Sequence, residues 1–268
     1  PTVRVKFSAN TSPFVGKEGK LVTAKQLQQR LDQEKNLNIS LKIESKGSNS
    51  HYVSGRGELQ LAILVEQLRR EGYEFELSKP EVILQEIDGI MCEPLEELII
   101  DAPEEYMSVV TQEVSERKGK MVNMENEQGE SRFTFHILTR NLIGLHRTLM
   151  TATKGTAVIN SAIIDYVTHE KGNELFRKGV IISSETGTAL AYALMSVQER
   201  GRLFITGSTE VYEGMIVGIN NTEDDLEVNP CKARHKTNVR MSHAEVTEIS
   251  LKTPITLSIE YALSFIKE

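Results

Sequence analysis

Between Asn229 and His243 the chain carries Lys232, Arg234, Lys236 and Arg240, with His235 and Asn238 interleaved and no acidic residue among them. Cations at near-alternate positions can straddle a nucleic-acid backbone, neutralising phosphates and releasing counterions, while the imidazole and amide add hydrogen bonds. The acidic stretch Glu223-Asp224-Asp225-Leu226-Glu227 precedes this run directly, so a solvated loop paired with its acidic neighbour is the competing structural account of the same residues.

Other chemistries lack their residues. No Gly-x-x-x-x-Gly-Lys-Ser/Thr occurs, and Gly16-Lys17-Glu18-Gly19-Lys20 has neither the spacing nor the hydroxyl that would hold magnesium. The string Ser54-Gly55-Arg56-Gly57-Glu58 could offer backbone N–H groups to a phosphate, yet it reads more simply as a tight turn into a helix. Cys231, His235 and His243 are too few and too irregularly spaced for a zinc site. The carboxylate pairs Glu104/Glu105 and Asp224/Asp225 lie in polar stretches where nothing would raise a pKa toward neutrality. No Gly-x-Ser-x-Gly elbow is present. The expectation is a chain with no catalytic residue, metal site or cofactor of its own.

The elements that position the basic run follow from length and periodicity. With 268 residues, the chain has room for roughly two or three compact units of about 150 residues or fewer. Its 39% hydrophobic and 26% charged residues fit an ordinary globular protein rather than a disordered one. The net charge of -7 argues against indiscriminate coating of nucleic acid, although a local basic patch can sit on an acidic average. No apolar run is long enough to cross a bilayer, and the first residues do not pattern as a secretory leader. Two cysteines, Cys92 and Cys231, suit a reducing, cytoplasmic setting.

The same order of elements appears twice. Val3, Val5 and Phe7 alternate as a strand, and Thr23-Ala24-Lys25-Gln26 is a capping box that opens a helix through Leu27 and Leu31. Ile39, Leu41 and Ile43 alternate next, with a return strand over 51–54, a helix over 58–70 and a strand over 74–78. After Pro80 the pattern repeats as a strand over 95–101, a helix opened by Asp101-Ala102-Pro103-Glu104, a hairpin over 120–125 and 132–138, a helix over 142–152 and a strand over 156–164. Each series is βαββαβ, a split unit that forms an antiparallel sheet with both helices on one face. From about His169 the pattern changes to short strands over 179–183, 189–193, 202–205, 214–219 and 246–251, followed by a helix after Pro254 that is expected to pack back on that sheet. The fold class is therefore α+β: two tandem ferredoxin-like domains, residues 1–79 and 80–168, then a β-rich C-terminal domain, residues 169–268, with a terminal helix.

Several stretches carry a family resemblance. Pro13-Phe14-Val15-Gly16-Lys17-Glu18-Gly19-Lys20, Ser54-Gly55-Arg56-Gly57-Glu58-Leu59 and Lys79-Pro80-Glu81-Val82-Ile83 resemble the third domain of the BipA/TypA translational GTPases. Glu93-Pro94, Pro103-Glu104-Glu105-Tyr106 and Leu142-Ile143-Gly144 resemble that family's next domain, which corresponds to domain V of elongation factor G. Gln198-Glu199-Arg200-Gly201-Arg202-Leu203-Phe204-Ile205, Val211-Tyr212-Glu213-Gly214-Met215-Ile216-Val217-Gly218, Val228-Asn229-Pro230-Cys231-Lys232 and Thr237-Asn238-Val239-Arg240 resemble the family's own C-terminal domain.

The resemblance implies the C-terminal part of a ribosome-dependent GTPase, with GTP and magnesium held only by a domain that precedes these residues. Its implied partners are the ribosome and the acceptor end of an A-site tRNA, with roles in ribosome assembly, stress adaptation and translation regulation; a monomer is expected separately, because the apolar stripes are consumed within each predicted unit. The loop holding Lys232, Arg234, His235, Lys236, Asn238 and Arg240 is the part implied to reach the tRNA. The family usually reads Arg-Gly-Leu-Ile-Gly-Phe-Arg where this chain has Arg140-Asn141-Leu142-Ile143-Gly144-Leu145-His146. Asn is the residue best able to replace Gly at positive φ, so the same turn is expected at Asn141, while His146 removes a cation. A protein-interaction or small-ligand regulatory module built on tandem ferredoxin-like domains is the alternative reading.

Overall fold

Alternation of Val3, Val5 and Phe7 with Arg4, Lys6 and Ser8 builds β1 (Val3–Ala9) in a computed structural model that describes residues 2–47, 49–127, 129–170, 179–233 and 251–263. Helix α1 (Ala24–Leu37) opens on the reciprocal cap: the Gln26 N–H donates to the Thr23 hydroxyl, and the Thr23 N–H donates to the Gln26 side chain. Strands β2 (Lys42–Lys46) and β3 (Ser50–Gly55), helix α2 (Glu58–Arg70) and strands β4 (Phe75–Leu77) and β5 (Glu81–Val82) follow.

The sheet order is β2-β3-β1-β4 with every neighbouring pair antiparallel, and β5 adds to β1. This is the ferredoxin-like layer expected. Leu27 and Leu31 of α1 and Leu61, Leu64, Val65 and Leu68 of α2 close a core on Val3, Val5, Phe7, Ile43 and Val53. Ile39 stays out of it at 97% exposed. Strand β2 begins later than the alternation suggests, because the Asn38 side chain accepts from Ser40 and turns the chain there.

The second layer repeats the plan with β6 (Gln85–Ile87), β7 (Ile90–Pro103), α3 (Met107–Glu116), β8 (Lys120–Glu127), β9 (Glu130–Leu138), α4 (Thr139–Leu142), α5 (Leu145–Ala152) and β10 (Val158–Thr168). Its order is β10-β7-β9-β8, again antiparallel, with β6 paired on β7. Leu98, Ile100, Phe133, Phe135 and Ile137 bury against Val110, Val114, Leu145 and Leu149 of the helices.

Three expectations are corrected here. Asp101, Ala102 and Pro103 stay in β7, paired with β9 as far as Pro103 opposite Glu130, and a 3-10 turn at Glu104–Tyr106 intervenes before α3. Pro103 ends the strand, where a missing N–H costs nothing in the ladder. The helix expected over 142–152 is two helices, broken where Gly144 takes φ 76°. Asn141 lies within α4 instead of at positive φ, so the turn expected at that position falls three residues later.

The break is held by specific bonds. Arg117 is buried, and its guanidinium donates to the carbonyls of Asn141 at 3.3 Å and Ile143 at 2.7 Å. Arg140 pairs with the buried Glu93 at 3.1 Å, and Gly144 N–H donates to the Glu58 carboxylate on α2 at 2.8 Å.

Two compact units result: Pro1–Phe176 with Ile259–Glu268, and Arg177–Ser258. In the second, β11 (Val180–Ser183), β12 (Gly187–Thr188), α6 (Ala191–Val197), β13 (Gly201–Leu203), β14 (Glu210–Val211), β15 (Ile216–Asn220) and β16 (Leu226–Val228) follow in order. The sheet order is β13-β15-β11-β16, and β12 pairs with β14. The strand expected over 189–193 is instead the start of α6, which turns Ala193, Leu194 and Val197 inward. Gly201 permits a close approach, since a Cβ there would stand 2.0 Å from the Ile219 carbonyl oxygen. Residues 246–250 of the last expected strand lie outside the described residues. Helix α7 (Ile259–Leu263) packs on α2, with Ile259 against the first core, rather than on the β-rich sheet.

His51 faces inward from β3 opposite Phe7, is 1% exposed and shares a 3.0 Å hydrogen bond with Ser45. Burial lowers its pKa, with Asp32 opposing weakly, so the folded chain binds fewer protons at this site than the unfolded chain. Its contribution to stability is present above about pH 6.5 and is lost as pH falls below it. The fall in Tm between pH 7.5 and pH 5.5, followed by circular dichroism, should therefore be smaller in His51→Leu by at least about 2 °C.

Candidate nucleic-acid interface

The residues that flank the basic run are fixed in the second unit. Strand β16 runs parallel to β11, and the Val228 carbonyl accepts from both the backbone N–H and the hydroxyl of Ser184. The Pro230 carbonyl accepts from Leu190 N–H at 2.9 Å, and the Asn229 side chain accepts from Cys231 N–H at 2.9 Å. On the return, Lys252 N–H donates to the Gln198 side chain and Ile255 N–H to the Leu203 carbonyl. Lys232 is exposed just beyond the base, whereas Arg234, His235, Lys236, Asn238 and Arg240 lie outside the described residues. Cys231 packs against Gly187, and burial first, then the charge of Glu185, pushes its thiol pKa up, which keeps it out of nucleophilic use. Among the described residues no cluster of His, Cys, Asp or Glu could hold a metal.

A second cationic surface comes from the one-sided layer of the first unit. Because both helices cover the face holding Val3, Val5 and Phe7, the intervening residues line the opposite face. Register sets them in rows: Lys6 and Glu44 flank Tyr52, and Arg4 and Lys42 flank Ser54. The Arg4 guanidinium stands 5.2 Å from the centre of the Tyr52 ring and the Lys46 ammonium 5.3 Å from it.

Acidic groups share this face. Arg4 pairs with Glu81 at 2.8 Å and Lys42 with Glu44 at 2.6 Å, both solvent-screened exposed pairs that phosphate can readily displace. The hydrogen bond and charge of Lys42 hold the Glu44 carboxyl below its ordinary pKa, with Arg4 and Lys46 adding to the effect. Glu76 is engaged with Ser8 and Thr11. Lys6 and Lys46 have no ion-pair partner among the described residues. An aromatic ring ringed by cations on an open antiparallel sheet can stack a base and hold its phosphates. No motif in the sequence marks this face. Its signal was the placing of Arg4, Lys6, Lys42 and Lys46 at the polar positions of alternating strands.

The description "TypA/BipA C-terminal domain" fits residues 178–268, and "Elongation factor G C-terminus" fits residues 90–172. Across 100% of its length the chain is 42% identical to the large ribosomal subunit assembly factor BipA of Bacillus subtilis (strain 168). The chain belongs to the TypA/BipA family. It is also 38% identical, over 99% of its length, to the large ribosomal subunit assembly factor BipA of Synechocystis. The identity is 39%, over the whole chain, to the putative elongation factor TypA-like SVR3, chloroplastic, of Arabidopsis thaliana. The chain spans 44%, 45% and 40% of these three TypA/BipA relatives.

Replacing Tyr52, Lys6 and Lys46 together with Ala should weaken binding of a fluorescently labelled oligouridylate by about tenfold or more at low salt, with Tm unchanged. Fluorescence anisotropy checks this. An unaltered affinity would leave the sheet face out of RNA binding.

Proposed function

We propose that this chain is the ribosome- and tRNA-binding C-terminal part of a TypA/BipA translational GTPase. The observation that carries the reading is the coincidence of the family's own C-terminal domain, residues 178–268, with a run of four cations, Lys232 to Arg240, that contains no acidic residue. Two of its relatives are named large ribosomal subunit assembly factors, which favours the ribosome as the partner. Lys232, Arg234, Lys236 and Arg240 neutralise phosphates near the acceptor end of an A-site tRNA, while His235 and Asn238 supply hydrogen bonds. The Tyr52 face holds ribosomal RNA by stacking and charge.

In this reading the chain performs no chemistry itself. GTP and magnesium are handled by a domain outside these residues, and this part converts that domain's switching into docking and release on the ribosome. It acts as a monomer in the cytoplasm or its organellar counterpart, in ribosome assembly, translation regulation and adaptation to stress.

Ribosome co-sedimentation over a salt series tests the loop. Changing Lys232, Arg234, Lys236 and Arg240 together to Ala should reduce binding and flatten the log–log salt dependence by about 3–4 units. An unchanged affinity and slope would remove the loop from the mechanism.

A further inference from the structure

The first unit contains a cavity of about 400 Å³ that neither cationic surface uses. One wall is the first turn of α2 with the residues leading into it, Arg56 to Leu59; the others come from β7, β10 and the segment from Thr139 to Met150. Leu98, Leu142, Ile143, Leu145 and Ile159 make the lining mainly apolar, and the volume falls in the range that accommodates small organic molecules.

One lining residue is out of keeping with that environment. Glu96 projects from β7 on the same side as Leu98 and Ile100 and is 6% exposed. Its carboxylate accepts a 2.6 Å hydrogen bond from the Thr139 hydroxyl, and no cationic side chain pairs with it among the described residues. A buried carboxylate served by one neutral hydroxyl is costly unless a positive charge comes to it. The cations nearby belong to the rest of the lining: Arg56 is exposed, and Arg147 lies 4.2 Å over the Tyr261 ring of α7. They disfavour a second positive charge on an occupant. Glu58, the other carboxylate, already accepts from Gly144 N–H.

We propose that this cavity binds a small molecule with an apolar body and a single primary ammonium, the ammonium seated on Glu96. The site goes beyond RNA and ribosome binding and does not depend on it.

Tryptamine, tryptophol and indole-3-acetate share one apolar body and differ in charge. The chain contains no tryptophan, so indole fluorescence anisotropy reports the probe alone when titrated with the 268-residue protein. Tryptamine should bind at least about tenfold more tightly than the other two, and Glu96→Gln should reduce it to the tryptophol level. Ser161, on β10 opposite Leu98, also lines the cavity. Ser161→Phe should weaken all three probes at least about fivefold by filling the space, with Tm unchanged as the check on folding. Equal affinities for the three probes, tryptamine binding indifferent to Glu96→Gln in a folded variant, or no anisotropy change at all would each overturn the proposal.

Discussion

A four-stranded antiparallel sheet whose two connections cross the same face can bury only that face, and this constraint governs the first unit twice over. Strand order β2-β3-β1-β4 and its repeat β10-β7-β9-β8 are the same solution, each with a core on the helix side. The consequence is chemical as well as architectural. Every residue between two core positions is delivered to the other face, so Arg4, Lys6, Lys42 and Lys46 gather around Tyr52 although they come from different strands.

The constraint also accounts for where rigidity is concentrated. The segment after β9 must turn from strand to helix while crossing beside α2, and it does so with a short helix, a left-handed glycine and a second helix. Its polar groups are satisfied by the buried Glu96 and Glu93 of β7, by the buried Arg117 just after α3 and by the half-buried Glu58 that opens α2: Glu96 for Thr139, Glu93 for Arg140, Arg117 for two carbonyls and Glu58 for Gly144 N–H. Both members of the Arg140–Glu93 pair are buried, so removing either would leave the other's charge less well compensated in the interior. The same arrangement leaves a cavity lined by both layers of this unit.

Much of the fold was legible because period and capping agree with tertiary structure. The Thr23-Gln26 cap, the Leu61, Leu64, Val65 and Leu68 stripe and the alternating Phe133, Phe135 and Ile137 act locally and globally in the same sense. The failures share a cause. Residues 189–193 pattern as a strand because the helix that follows from Ala191 is only seven residues long, and Pro103 patterns as a helix opener because a strand-ending proline looks the same in sequence. Asn141 and the destination of α7 were decided by partners distant in sequence, Arg117 and α2, which no local pattern announces. At the candidate interface the basic run was visible as composition, while the Tyr52 face required register to assemble it.

The proposed function requires the cationic loop and the open sheet face both to meet RNA on the ribosome. Ultraviolet cross-linking of the chain to ribosomes, with the attached peptides mapped by mass spectrometry, tests it most directly. RNA adducts are expected at Tyr52 and its flanking lysines and within residues 232–240. Adducts confined to the helix-covered sides of the sheets, or none at either surface from a chain that still sediments with ribosomes, would contradict it.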